Sequence, residues 1–145
     1  DLDLADVVDA ALALIGAVDK HFTLERTPGE TLPIRADREQ LLRVFNNLLK
    51  NAEQSIPEGR VPNITVVLRR TDEQVIAEVR DNGSGIAGAD QERIFRPNFT
   101  TKSSGMGLGL AMVQRIVEGA GGKVWFETRE GQGTTFFVAL PLGKA

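Results

Sequence analysis

The sequence has no cysteine and no tyrosine, and only one tryptophan and one histidine. Lack of cysteine removes disulfide frameworks and thiolate metal sites, and it is compatible with a reducing compartment. Seven phenylalanines and one tryptophan offer too few aromatic surfaces for a base-stacking platform. No Lys/Arg block occurs; acids and bases are interspersed at a net charge of −3, which argues against a nucleic-acid footprint and favours a small ligand or a protein partner. Apolar runs fall far short of a membrane span, and the N-terminal DLDLADVV has neither the basic region nor the apolar core of a signal. The chain reads as soluble as given, without internal repeats or low-complexity tracts, and is expected to be cytoplasmic within a parent that is either soluble or membrane-anchored.

What is present is enough for one domain. A chain of 145 residues buries roughly 68–70% of its unfolded surface and needs no staple. LADVVDAALALIGAV predicts a helix over a sheet face, HFTLER a short strand ended by TPGETLP, and IRA a second short strand. Asp37 is suited to cap a helix REQLLRVFNNLLKNAEQSI, in which Leu41, Phe45, Leu48 and Ala52 form a buried stripe before Pro57 and Gly59 end it. NITVVLRR and QVIAEVRD predict two strands joined by a turn at Thr71 to Glu73; Val75, Ala77 and Val79 share one parity, and Asp81 falls on it as well. From Asn82 to Ser104 the chain is irregular, with at most a short helix near Ala89 to Phe95. A helix from about Met106 to Glu118 and the strands KVWFETRE and TTFFVALP, joined by EGQG, complete the chain. The expected fold is α+β: a two-layer sandwich whose mixed, mostly antiparallel sheet is covered on one face by about three helices.

Four groups of residues carry chemistry. Asn47 and Asn51 lie four apart, on one helical face beside the apolar stripe. Two amides there, taken alone, fit polar surface or capping residues; the functional alternative is oxygen ligands for magnesium, a hard cation that keeps water and nucleotide phosphates as its others. Asp81-Asn-Gly-Ser-Gly85 resembles a hairpin turn, but no strand follows Gly85. A carboxylate followed by glycines also suits an exocyclic amine such as that of adenine, with bare backbone against the ring. Gly105, Gly107 and Gly109 stop where a helix starts, and a glycine-lined approach to the unpaired N–H groups of a first helical turn suits phosphate, with Lys102 and Arg96 nearby to supply charge. Gly131-Gln-Gly133-Thr134 alone is an ordinary hairpin turn. His21 has no acidic neighbour and no ligand-spaced partner, and reads as structural.

Together NLLKNA (47–52), DNGSG (81–85), FRPNF (95–99), GMGLGL (105–110) and GQGT (131–134) resemble, in order and spacing, the N, G1, F, G2 and G3 boxes of sensor histidine kinases. The ATP-binding domain of those kinases belongs to a superfamily with gyrase, Hsp90 and MutL. The resemblance covers essentially the whole chain, and FRPNFTTKSSGMGLGLAMVQRIVEGAGG further resembles the nitrogen-regulation class. It implies a single catalytic domain over residues 1–145, with an ATP lid at about 83–106 and the sensor and phosphoacceptor domains absent. It implies ATP and Mg2+ as cofactors, with Asn51 on the metal. Asn47 supports the metal or phosphates, and with Lys102 marks the catalytic centre. Asp81 would take the adenine amine, with Gly83, Gly85 and Ile86 lining the base and Thr134 beside it. Phe99, Thr100, Thr101 and Lys102 would meet the nucleotide from the lid, and Phe95 and Phe99 would anchor that lid. Gly105, Met106, Gly107, Leu108, Gly109 and Leu110 would wrap the phosphates.

Hydrolysing members of the superfamily resemble one another in carrying Glu where this chain has Asn47. An amide cannot accept the proton of water at neutral pH, so hydrolysis is expected to be slow. The implied reaction sends the γ-phosphoryl to a histidine on a separate dimerisation helix, and His21 lacks the context of that acceptor. Implied partners are the phosphoacceptor domain and a response regulator reached through a homodimeric parent; the isolated domain is expected to be monomeric and to bind no nucleic acid. An anti-sigma-type serine kinase, and a nucleotide-binding regulatory module without transfer activity, share the same pocket residues. Residues from about Ala87 to Ser104, poor in periodic apolar positions, are expected to exchange amide protons readily without nucleotide; hydrogen exchange that finds the segment protected in the nucleotide-free state contradicts this.

Overall fold

The computed structural model describes residues 2–15, 21–96 and 109–143. Two short strands, β1 (Leu2–Asp3) and β3 (Pro33–Ile34), pair antiparallel near the N-terminus. Between them lie helix α1 (Leu4–Leu14) and strand β2 (Phe22–Glu25); α2 (Arg38–Gln54), β4 (Ile64–Arg70), β5 (Gln74–Arg80), α3 (Gly109–Gly119), β6 (Lys123–Arg129) and β7 (Gly133–Pro141) follow. The main sheet has the order β2-β4-β5-β7-β6. Its β2–β4 pair is parallel and its other pairs are antiparallel. The architecture is the α+β sandwich read from the sequence, with β1 as an added element too short to carry an alternating pattern.

Helices α1 and α2 each begin where a carboxylate satisfies an orphan N–H. Asp3 Oδ1 accepts from Ala5 N at 2.9 Å to open α1, and Asp37 Oδ1 accepts from Gln40 N at 3.2 Å to open α2. Helix α1 ends at Leu14 with Ile15 as its C-cap, and the Gly16 to Val18 part of its apolar run lies outside the described residues. The apolar stripe of α2 is Leu41, Val44, Phe45, Leu48, Leu49 and Ala52, all fully or almost fully buried. It packs α2 against α1, α3 and β5. The helix-side positions of the sheet alternate as period two requires: Val66 and Leu68 on β4, Val75, Ala77 and Val79 on β5, Phe136, Val138 and Leu140 on β7. Residues 87–96 form successive i→i+3 turns, including Asp90 N to Ala87 O at 2.8 Å and Arg93 N to Asp90 O at 2.9 Å, in the irregular segment for which the sequence allows at most a short helix.

The opposite face of β5 carries the one buried carboxylate among the described residues. Glu78 is 6% exposed; its Oε2 accepts from Arg69 Nε at 3.1 Å, and its Oε1 from Arg80 Nη2 at 2.8 Å. Burial by itself pushes the Glu78 carboxyl up, but the hydrogen bonds and positive charges of Arg80 and Arg69 outweigh it and hold the group below its ordinary value. Beside this cluster Trp125 and Phe137 stack with ring centroids 5.1 Å apart.

A carboxyl depressed on folding stabilises the protein above its unfolded value, and the contribution disappears as pH falls through the folded one. Glu78→Gln is therefore expected to cost about 1–2 kcal/mol at neutral pH. Its melting temperature should converge on that of the unmutated chain as pH drops below 4.5. Thermal melts of the two proteins across pH check both statements.

Candidate functional site

A cleft of about 490 Å³ opens between α2, the irregular segment after β5, the start of α3 and the β6–β7 hairpin. Its first wall is one stripe of α2, in which Asn47, Lys50, Asn51 and Gln54 recur at i, i+3, i+4 and i+7 beside the buried stripe. Ser55 closes that wall. Asp81, Ser84, Gly85 and Ile86 form the base, Asp90 and Ile94 one side, Leu110 of α3 the far end, and Thr134 and Phe136 the sheet side.

Asp81 sits just past β5 because the ladder continues one step: its N–H donates to Thr134 O at 2.9 Å. Its side chain is fixed by backbone donors, with Oδ1 accepting from Gly83 N at 2.8 Å and Thr134 N at 3.1 Å. A carboxylate held this way is fixed in orientation. Thr134 is 5% exposed, and its hydroxyl lies 2.8 Å from that of Thr128, which also accepts from Ile86 N at 2.9 Å.

The turn from Asn82 to Ala87 has no core of its own, and three separate elements hold it. Ser84 N donates to Ser55 O at 3.0 Å, from the end of α2. Arg60, on the α2–β4 loop, donates through Nη1 to Asn82 O at 2.7 Å and Gly83 O at 2.9 Å. The Asn82 amide returns the tie, donating to Val61 O at 2.9 Å and accepting from Asn63 N at 2.8 Å. From the hairpin, Gly131 N donates to Ser84 O at 2.7 Å. Gly85 passes so close to Arg129 O that a Cβ would overlap it, and its φ of +76° is one that side chains disfavour.

At the other end of the α2 stripe, Gly109 lies against Asn47: a Cβ on Gly109 would come within 2.6 Å of Asn47 Nδ2. The first residue of α3 is thus pressed onto the amide that the sequence singled out. On the cleft flank Ile94 is 5% exposed, and the Phe95 ring packs 6.1 Å from Phe126 and 6.4 Å from Phe136, centroid to centroid. Isolated apolar residues without a period anchor this stretch, so a periodicity reading undercounts them.

Of the residues chosen from sequence, Asn47, Asn51, Asp81, Gly85, Ile86, Leu110 and Thr134 line one cleft. Gly83 binds the Asp81 carboxylate through its N–H, and Gly109 adjoins Asn47. Phe99, Thr100, Thr101, Lys102, Gly105, Met106, Gly107 and Leu108 lie outside the described residues. The sequence reading passed over Lys50 and Gln54, which extending the i, i+3, i+4, i+7 series from Asn47 would have found. It also passed over Arg60, Asn82 and Thr128, whose roles come from contacts across the fold. Among the described residues no cluster of His, Cys, Asp or Glu could hold a metal ion unaided, and no helix is long and apolar enough to cross a membrane.

Gly85→Ala is expected to destabilise the fold by about 1–3 kcal/mol, through the strained φ and the overlap with Arg129 O. Gly88→Ala, with open space around the added carbon, should be near neutral; chemical denaturation of the pair checks this.

Comparison with known proteins agrees with the architecture and the boxes. Residues 36–144 match the family model described as histidine kinase-, DNA gyrase B- and HSP90-like ATPase. The chain is 41% identical to the sensor histidine kinase ZraS of Salmonella typhi, over 97% of this chain and 31% of that protein. It is 43% identical to the signal transduction histidine-protein kinase AtoS of Escherichia coli (strain K12), over 97% of this chain and 24% of that one. It therefore spans a third or less of these relatives' lengths. Among solved structures, the nucleotide-free catalytic domain of histidine kinase ThkA superposes with a TM-score of 0.84 at 31% identity, over 97% of this chain and 93% of that domain. The mycobacterial sensor histidine kinase MprB gives 0.82 at 26% identity, over 97% and 96%. A family match over residues 36–144, together with a shared fold along nearly the whole chain, establishes that the chain belongs to the histidine kinase-, DNA gyrase B- and HSP90-like ATPase family.

Proposed function

We propose that the chain is the catalytic domain of a sensor histidine kinase, which binds Mg–ATP in the cleft. In its parent protein it passes the γ-phosphoryl to a histidine on a separate helical dimerisation domain, and from there to a response regulator. The observation that carries the reading is the Asp81 carboxylate, fixed by the N–H groups of Gly83 and Thr134, lining the same cleft as Asn47 and Asn51. A carboxylate in a fixed orientation accepts the exocyclic amine of adenine and disfavours a carbonyl at the same ring position. Gly85, Ile86 and Thr134 line the cleft beside Asp81 and would meet the base, whereas Gly83, expected to line it as well, packs against Ser55 and contributes its N–H to the carboxylate.

The donor set suits magnesium. An amide oxygen at Asn51, supported by Asn47, offers the hard oxygen ligand the ion prefers, and the lack of a carboxylate cage among the described residues leaves coordination positions to phosphates and water. When bound, the ion neutralises charge on the phosphates. Asn47 stands where a general base would be needed for water attack; an amide has no proton affinity at neutral pH, so water is left unactivated and ATP is conserved for transfer. In the transfer step a P–O bond to the leaving ADP breaks as a P–N bond to the acceptor imidazole forms, and the protein's contribution is positioning and charge stabilisation. Lys102 and the segment from Phe99 to Leu108 belong to this proposal as the part of the lid that meets the phosphates. So do the lid bounds of about 83–106, a placement in the nitrogen-regulation class supported by FRPNFTTK, a cytoplasmic location, and a monomeric domain within a homodimeric parent.

Calorimetric titration with a non-hydrolysable ATP analogue and magnesium tests the reading. The unmutated chain should bind, and Asp81→Asn, which replaces an acceptor with a mixed donor and acceptor, should weaken binding by roughly 10- to 100-fold, the equivalent of one charged hydrogen bond. Absence of binding by the unmutated chain, or unchanged affinity in Asp81→Asn, overturns the assignment of adenine to Asp81.

A further inference from the structure

The described side chains around the cleft carry charge of mostly one sign. Asp81, Asp90 and Glu130 bring three carboxylates to its lining, and Lys50 is the one cation among the described lining residues. A nucleoside polyphosphate entering such a cleft meets repulsion unless positive charge is placed along its path. Lys50 is exposed, and no hydrogen bond or ion pair ties it to another of the described residues. The other charged residues of α2, Arg38, Glu39, Arg43 and Glu53, take no part in the lining.

The helix itself locates Lys50 along the ligand. The Ser55 end of α2 is bound to the Asp81 turn through Ser84 N, and the Asn47 end abuts the first residue of α3. With a rise of about 1.5 Å per residue, Lys50 lies about 4.5 Å along the axis from Asn47 and about 7.5 Å from Ser55. It therefore stands between the base end and the far end, on the same stripe as both asparagines. Its ammonium is a point charge on a flexible four-carbon stem, suited to phosphate oxygens rather than to a base edge.

We propose that Lys50 is a polyphosphate-binding residue, a cation presented by the rigid helix to the α- and β-phosphates of the bound nucleotide. The inference rests on the nucleotide reading of the cleft. It assigns part of the phosphate affinity to α2, independently of residues 97–108. The contact is made to ADP as well as to ATP and is absent for adenosine.

The test is a set of titrations of the 145-residue chain and its Lys50→Gln and Lys50→Arg variants with adenosine, ADP and a non-hydrolysable ATP analogue in the presence of magnesium. Lys50→Gln should weaken ADP and the ATP analogue by roughly three- to tenfold, leave adenosine and the melting temperature unchanged, and make binding of the analogue less sensitive to salt. Lys50→Arg should restore most of the lost affinity. Unchanged affinity of Lys50→Gln for both phosphate-bearing ligands overturns the proposal. An equal loss for adenosine also overturns it, since the residue would then be shaping the cleft rather than binding phosphate. If the unmutated chain binds neither adenosine nor the analogue, the nucleotide reading itself fails and this inference falls with it, a result distinct from a variant that binds as the unmutated chain does.

Discussion

The site depends on the capture of one carboxylate by main-chain donors. Asp81 Oδ1 takes the N–H groups of Gly83, two residues on in the same turn, and of Thr134, more than fifty residues later on β7. Those two bonds tie the irregular segment after β5 to the sheet and fix the orientation of a carboxylate that lines the cleft. A loop with unpaired polar backbone cannot keep its shape beside an apolar core on its own. Here the unmet groups are distributed among three neighbours: the end of α2 through Ser55, the α2–β4 loop through Arg60 and Asn82, and the β6–β7 hairpin through Gly131 and Thr128.

Helix α2 serves two surfaces at once. Its buried stripe from Leu41 to Ala52 packs the other helices and the sheet, and an adjacent stripe from Asn47 to Gln54 lines the cleft. A pitch of 3.6 residues makes this possible, because two series offset by a few positions face different directions on one rigid rod. The polar groups of the site therefore inherit the order of the core. The opposite sheet face is organised differently: Glu78 is paired by two arginines and Trp125 stacks on Phe137, a mixed polar and aromatic surface where the helix side is aliphatic.

Much of this was legible in the residue pattern, where local chemistry dictated it. Asp37 as a cap, the apolar stripe of α2, the alternation of Val75, Ala77 and Val79, and the turn beginning at Thr71 all follow from rules acting over a few residues, and the structure contains each of them. Asn47, Asn51 and Asp81 could be chosen because helix and turn preference leave their residue types partly unexplained, whereas Thr134, in an ordinary hairpin turn, came only from the family resemblance. The pairing of β1 with β3, the parallel β2–β4 ladder and the turns at residues 87–96 were not legible. Two-residue strands carry no period, strand partners are selected by tertiary packing, and single buried residues such as Ile94 have no repeat to reveal them.

By itself the sequence determined the elements and the chemical inventory of the site, because capping, periodicity and side-chain functional groups are local properties. Only the tertiary structure decided that four distant stretches close around one cleft, that Arg60 and Asn82 clamp the Asp81 turn, and that Lys50 joins the lining beside the two asparagines. Those facts depend on which backbone groups meet across the fold, and long-range hydrogen bonding and packing, rather than any run of residues, set that.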